Sequence, residues 1–161
     1  MKHKVLMFGW EFPPHISGGL GTACYGLTRN LAALDDIDLT FVVPKVYGDE
    51  PKTGMILVGA NEVELPGKKI KKQGELERRA LHVSDQQISA YITPEQYEKM
   101  LTENRLKTKD SLIKSSSGKL EFTGQYGSGL FGEISRYGVV ASEIAKNVQH
   151  DIIHAHDWLT Y

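Results

Sequence analysis

The chain has a single cysteine, Cys24, among 161 residues. No disulfide can form within it, and a reducing compartment is the simplest setting, so the expectation is a cytoplasmic protein. Nor does any apolar run approach the roughly 18 residues that a membrane-spanning helix needs, and no membrane span is predicted. The opening MKHKVLMFGWEFPP places basic residues before apolar ones, as a secretory leader does. Its apolar run breaks at Glu11 and Pro13, however, and no small-residue cleavage site follows. An excess of charge is missing too: 19 Lys and Arg face 20 Asp and Glu, a formal net of -1. Nothing global therefore draws the chain to nucleic acid or to an anionic membrane.

Two nucleotide-binding signatures are absent as well. A dinucleotide fingerprint needs GxGxxG directly after a strand and an acid near the end of the next strand. Here the run from Gly19 ends in Cys24, the glycines trail the first apolar run by several residues, and the second run closes on VVPK. A phosphate-binding loop of the GK[ST] type is not found either.

What remains is an ordinary soluble composition, 40% hydrophobic and 24% charged, enough for one domain over residues 1–161 with a real core. KVLMFGW, from Lys4 to Trp10, is a continuous apolar run bounded by Pro13-Pro14, as expected of a strand buried on both faces. Leu20, Cys24, Leu27, Leu31 and Leu34 then fall in steps of three and four, one stripe of a helix. Asp35-Asp36 ends it, and IDLTFVVP reads as a second buried strand. Strand, helix, strand in this order predicts a parallel, doubly wound α/β sheet.

The middle of the chain differs. ILVGANEVEL, from Ile56, reads as a strand, or one arm of a hairpin. Residues 67–119 carry a net charge of +5 and the remainder -6. This basic segment is expected to be a solvated insertion, with a grip on an anionic ligand as the other reading. Within it, Thr93-Pro94 followed by Gln96 predicts a helix to about Leu106, and SSSG, from Ser115 to Gly118, predicts a loop. Helical spacing returns with Ile134, Tyr137, Ala141, Ile144 and Val148. Finally Ile152 to Ala155 reads as a short buried strand.

Two stretches carry chemistry. HISGGLG, His15 to Gly21, lies in the loop joining the first strand's carboxyl end to a helix amino terminus, the side on which open α/β sheets bind ligands. Free amides and partial positive charge there suit an anion, and Gly18, Gly19 and Gly21 let a ligand approach the backbone; a tight turn alone would also use such glycines. The second stretch is DIIHAHDW. His154 and His156 share one face of a strand. A hydrolytic metal site would use imidazoles in this way, but Asp157 directly follows His156 and no second cluster exists, so no metal or cofactor is expected. The blander reading has both histidines satisfied in the structure and Trp158 closing the core. Asp157 stands at a strand's carboxyl end, where α/β enzymes keep ligand-contacting groups.

FGWEFPPHISGGLGTACYGLTRNLA near the start and DIIHAHDWLT at the end, in this order, resemble the N-terminal domain of glycogen and starch synthases and related retaining glycosyltransferases. The helix EISRYGVVASEIAKN, with Arg136-Tyr137, is similar to one in that family. The resemblance covers residues 1–45 and 120–161. It implies a Rossmann-like, doubly wound, mainly parallel sheet, the N-terminal half of a two-domain GT-B enzyme with a charged insertion at about 67–119. It implies transfer of a hexose, glucose foremost, from a nucleoside diphosphate sugar (ADP- or UDP-glucose) to an oligosaccharide or glycan acceptor. A C-terminal domain of the same longer chain would bind the nucleotide, and this piece alone would be inactive. The catalytic role falls on Asp157, and contacts to substrate on Gly18, Gly19, Glu11 and His156. Glycogen synthases proper carry Lys-x-Gly-Gly-Leu, where this chain has Ile16 in the lysine position. The alternative is a non-catalytic sugar- or nucleotide-binding module.

Overall fold

The computed structural model describes residues 2–65, 118–126 and 130–160. The helix expected from Thr93 to Leu106, and nearly all of the basic segment, including Ser115 to Ser117 of the SSSG loop, lie outside these residues.

Four strands form one parallel sheet: β1 (His3–Phe8), β2 (Ile37–Val43), β3 (Ile56–Gly59) and β4 (Ile152–Ala155), in the order β3-β2-β1-β4. Helix α1 (Gly19–Ala32) follows β1, and α2 (Leu130–Asn147) precedes β4. The central strands are apolar on both faces because each face is covered. Val5 and Met7 of β1, with Leu39, Phe41 and Val43 of β2, meet Cys24, Tyr25, Leu27 and Leu31 of α1. The alternate residues Leu6, Phe8 and Val42 meet Tyr137, Val140 and Ile144 of α2. One helix on each face of a parallel sheet is the doubly wound, Rossmann-like α/β fold.

Local chemistry accounts for where the elements stop. Helix α1 ends at Ala32, where the Ala33 amide donates to Asn30 O and the Leu34 amide to Leu31 O, so Leu34 lies beyond the helix and is 49% exposed rather than part of the buried stripe. Thr28, fully buried, takes part in that face instead, its hydroxyl donating to Tyr25 O at 3.1 Å. The expected strand or hairpin arm at ILVGANEVEL is shorter than predicted. Only Ile56–Gly59 is a strand, paired in parallel with β2, and Ala60–Glu62 turns as a short 3-10 helix. Asn61 causes that turn: its side-chain oxygen accepts from the Val46 amide at 3.0 Å, its side-chain nitrogen donates to Val46 O, and its own amide bonds Pro44 O. The chain leaves the described fold at Leu65 and re-enters beside it at Gly118, joined by the Leu65 amide to Gly118 O at 2.8 Å.

β4 has the predicted bounds but not the predicted burial. Ile152 and Ile153 are about half exposed, because β4 pairs with β1 on one side only and lies at the edge of the described sheet. Trp158 is likewise 49% exposed, and Leu159, 2% exposed, fills the core position expected of it.

Gly9 just past β1 permits a close contact in this core. A Cβ there would sit 2.5 Å from Phe41 Cζ and 3.1 Å from Cys24 Sγ. The Phe41 ring is fully buried and packed against Phe12, so it has little room to retreat. Gly9→Ala is expected to lower stability by about 1–3 kcal/mol, read as a lower urea midpoint at unchanged slope.

Candidate functional site

Strand β1 leads through α1 to β2 on one side, whereas β4 lies against its other side. The carboxyl ends of β1 and β4 therefore flank the point where strand order reverses, the crevice in which open α/β sheets hold ligands. The pairing extends past the strands, since the His156 amide donates to Phe8 O at 2.9 Å. That bond sets the glycine loop after β1 beside the HAHDW turn after β4.

The loop contains an unusual carboxylate. Glu11 is 5% exposed. Its Oε1 accepts from the Ser17 amide at 3.2 Å and from the Ser17 hydroxyl, while Oε2 is buried with no partner among the described residues. Nε1 of neighbouring Trp10 is also buried without a partner there. Buried polar atoms in native proteins are nearly always paired, with water or ligand if not with protein. Trp10 and Glu11, consecutive in the chain, therefore each leave one buried polar atom without a protein partner among the described residues.

The glycines divide into two kinds. Gly18 and Gly19 have open space where a Cβ would project. Gly21 is packed: a Cβ there would lie 2.6 Å from Ile16 Cγ2 and 2.8 Å from Glu11 Oε2. Gly21 is therefore a close-packing residue rather than a point of ligand approach. Helix α1 starts at Gly19 with Gly18 as its cap and no side chain capping it, so first-turn amides are available to an incoming acceptor.

Across the crevice, Asp157 adopts a left-handed conformation with φ of 74°. Asp tolerates that region better than most side chains, and the fold imposes it. The His156 amide is tied to β1 on one side, and the Asp157 carbonyl accepts from the Thr160 amide (3.0 Å) and hydroxyl (2.9 Å) on the other. Among the described residues, the bonds that hold Asp157 thus use its backbone, not its carboxylate. The two histidines do share a face, their rings stacked at 5.6 Å between centroids.

One group at the site escapes motif reading. Tyr126 lies within electrostatic reach of both Glu11 and Asp157, and burial together with those two carboxylates pushes its phenol up to about 12. The hydroxyl therefore stays protonated and able to donate at neutral pH. The only signal in the sequence is an aromatic between glycines in GQYGSG, which by itself predicts no more than a turn. Also unanticipated is the bond of His15 Nε2 to Asp49.

His154 is held below its ordinary value, by partial burial and then by neighbouring His156. The unfolded chain takes up this proton at higher pH than the folded one, so this group favours folding above the ordinary histidine value of about 6.5 and loses that contribution as pH falls through the folded value. Stability measured by urea unfolding between pH 8 and 5 is expected to fall less steeply in His154→Gln than in the unaltered chain.

Among the described residues, no three His, Cys, Asp or Glu side chains are grouped as a metal site requires, and no helix is long and apolar enough to cross a membrane. No curated protein and no solved structure gives a significant match. The starch synthase catalytic domain family, by contrast, matches residues 4–161, nearly the whole chain. With the parallel Rossmann-like sheet and both motifs at its switch point, the chain belongs to the starch synthase catalytic domain family and is a glycogen/starch synthase-like glycosyltransferase domain.

Proposed function

We propose that this domain is the acceptor-side half of a retaining transferase that moves a hexose, glucose foremost, from ADP- or UDP-glucose to a glycan hydroxyl. The observation that supports it most is the pairing, where strand order reverses, of the loop with the open Gly18-Gly19 backbone and the turn carrying Asp157, joined by the His156 amide to Phe8 O. Sugar transfer builds positive charge on the sugar and negative charge on the departing diphosphate, and both must be stabilised more in the transition state than before it. First-turn amides of α1 suit the diphosphate. Glu11 already places a carboxylate near that helix end, so phosphate is favoured on the open Gly18-Gly19 side. Asp157 accepts from sugar hydroxyls and faces the developing positive charge. Tyr126, within electrostatic reach of both carboxylates, supplies a neutral donor, and His156 flanks Asp157 as a further sugar contact.

Ile16 in place of a lysine leaves that position without a cation, so the backbone amides carry the phosphate contact of this half. Incubating the complete protein that contains this domain with each donor and a maltooligosaccharide tests the reading. Transfer with an α-configured product is expected. A β-configured product would contradict retention, and no transfer from any donor to any glycan would contradict the transferase reading.

A further inference from the structure

His15 stands in the middle of the glycine loop, between Pro14 and Ile16, and its ring engages residues of a different connection. Its Nε2 lies 2.9 Å from Asp49 Oδ1 and 3.1 Å from Oδ2, and its ring stacks on Tyr47 at 3.8 Å with 26° between planes. Both partners belong to the connection between β2 and β3. A ring nitrogen committed to a carboxylate is not free to bind substrate, so any effect of His15 on the reaction passes through the loop that carries it.

The surface that receives His15 is itself fixed. Glu50 accepts from the Tyr47 amide at 2.6 Å and the Gly48 amide at 2.9 Å, closing a tight turn whose Gly48 has a φ of 92°. Asn61 pins the backbone at Val46 from the other direction. Lys45 Nζ lies 4.5 Å from the Tyr47 ring centre. The Tyr47 hydroxyl donates to Thr123 O at 3.0 Å. The amides of Thr123 and Gly124 in turn donate to the buried Glu133 carboxylate of α2, at 3.0 and 3.1 Å. Two residues beyond Gly124 stands Tyr126. A continuous set of contacts therefore runs from the glycine loop through Tyr47 to the segment that carries Tyr126.

We propose that His15 is a positioning residue: clasped by Asp49 and Tyr47, it holds the glycine loop so that the Gly18 and Gly19 amides face the donor diphosphate. The proposal rests on the transferase reading for its kinetic consequence, but not for its structural one. The loop from Trp10 to Gly18 has no regular secondary structure, apart from a single bridge between Phe12 and His15. The Ser17–Glu11 bonds tie it internally, while His15 ties it to a different connection. Donor-side geometry depends on the clasp; the Asp157 side, anchored on β1 through His156, does not.

The test uses the complete protein with His15→Ala, His15→Gln, Asp49→Ala and the double alanine variant. Each single alanine change is expected to raise the KM for the nucleotide sugar about tenfold while leaving the KM for the glycan unchanged. The double variant should match either single one, because both break the same contact. Gln, which keeps an N–H for Asp49, should recover part of the loss. Amide hydrogen exchange at Ser17 to Thr22 should quicken in the alanine variants while β1 and β2 stay protected. Unchanged donor KM, equal losses for donor and glycan, or unchanged exchange in this loop would each overturn the proposal. If the unaltered protein transfers no hexose, the transferase reading fails and the exchange measurement alone decides the clasp.

Discussion

Asp157→Ala in the complete protein that contains this domain is expected to lower glycan-dependent transfer by about 10²–10³-fold, the loss typical when a preorganised polar group is removed from a transition state. Stability should change far less, by about 1 kcal/mol, the scale for a non-glycine residue held in a left-handed conformation it dislikes more than Asp does. Asp157→Gly separates the two effects. Glycine adopts the φ of 74° without strain, so this variant should be at least as stable as the natural protein and equally inactive. Asp157→Asn also suits the conformation but lacks the charge, so it too should fold and lose transfer. A carboxylate in a conformation that favours glycine, supported among the described residues by bonds to its backbone, is placed at some cost in stability. The Thr160 turn and the buried Leu159 supply the restraint.

The largest effect on stability is expected at Tyr137. Its ring is 2% exposed and meets Phe8 and Trp10 edge-on, with centroids 6.4 and 5.7 Å away. Its hydroxyl donates to Val42 O at 2.8 Å, across the sheet from α2. Burial keeps that phenol protonated well above its ordinary range. Tyr137→Ala removes a core aromatic and leaves a cavity, a loss of about 3–5 kcal/mol. Tyr137→Phe keeps the packing and loses one bond, about 1 kcal/mol, because Val42 O still accepts from the Gly9 amide at 2.9 Å. Urea unfolding of the two variants gives both numbers. Equal losses would mean that the bond, not the ring, holds α2 to the sheet.

Elements set by local pattern could be read in advance. The apolar runs of β1 and β2, the spacing of Cys24, Leu27 and Leu31, and that of Tyr137, Ala141 and Ile144 each report a face that the fold buries. Exposure was harder to foresee. Ile152 and Ile153 look like buried-strand residues, and only the strand order shows that β4 has a neighbour on one side. Leu34 fits the helical stripe by number, but the helix stops two residues earlier. At the site, Glu11, Gly18, Gly19 and Asp157 lie in two motifs whose types and spacing suggest ligand contact. Tyr126 belongs to neither, and the His15–Asp49 clasp joins residues 34 apart in sequence. Such contacts arise from tertiary pairing, and no periodicity announces them. The buried, unpaired Glu11 Oε2 is similarly a property of the folded loop alone.

The central claim is that the glycine loop after β1 and the turn after β4 form one sugar-transfer site. Its most direct test is diphosphate release by the complete protein from ADP-glucose and UDP-glucose, with and without a maltooligosaccharide, for the unaltered form beside Asp157→Ala and Asp157→Gly. The expected result is glycan-dependent release from one donor, lost in both variants while their unfolding curves stay close to the unaltered one. Glycan-dependent release that survives in the folded Asp157 variants would contradict it.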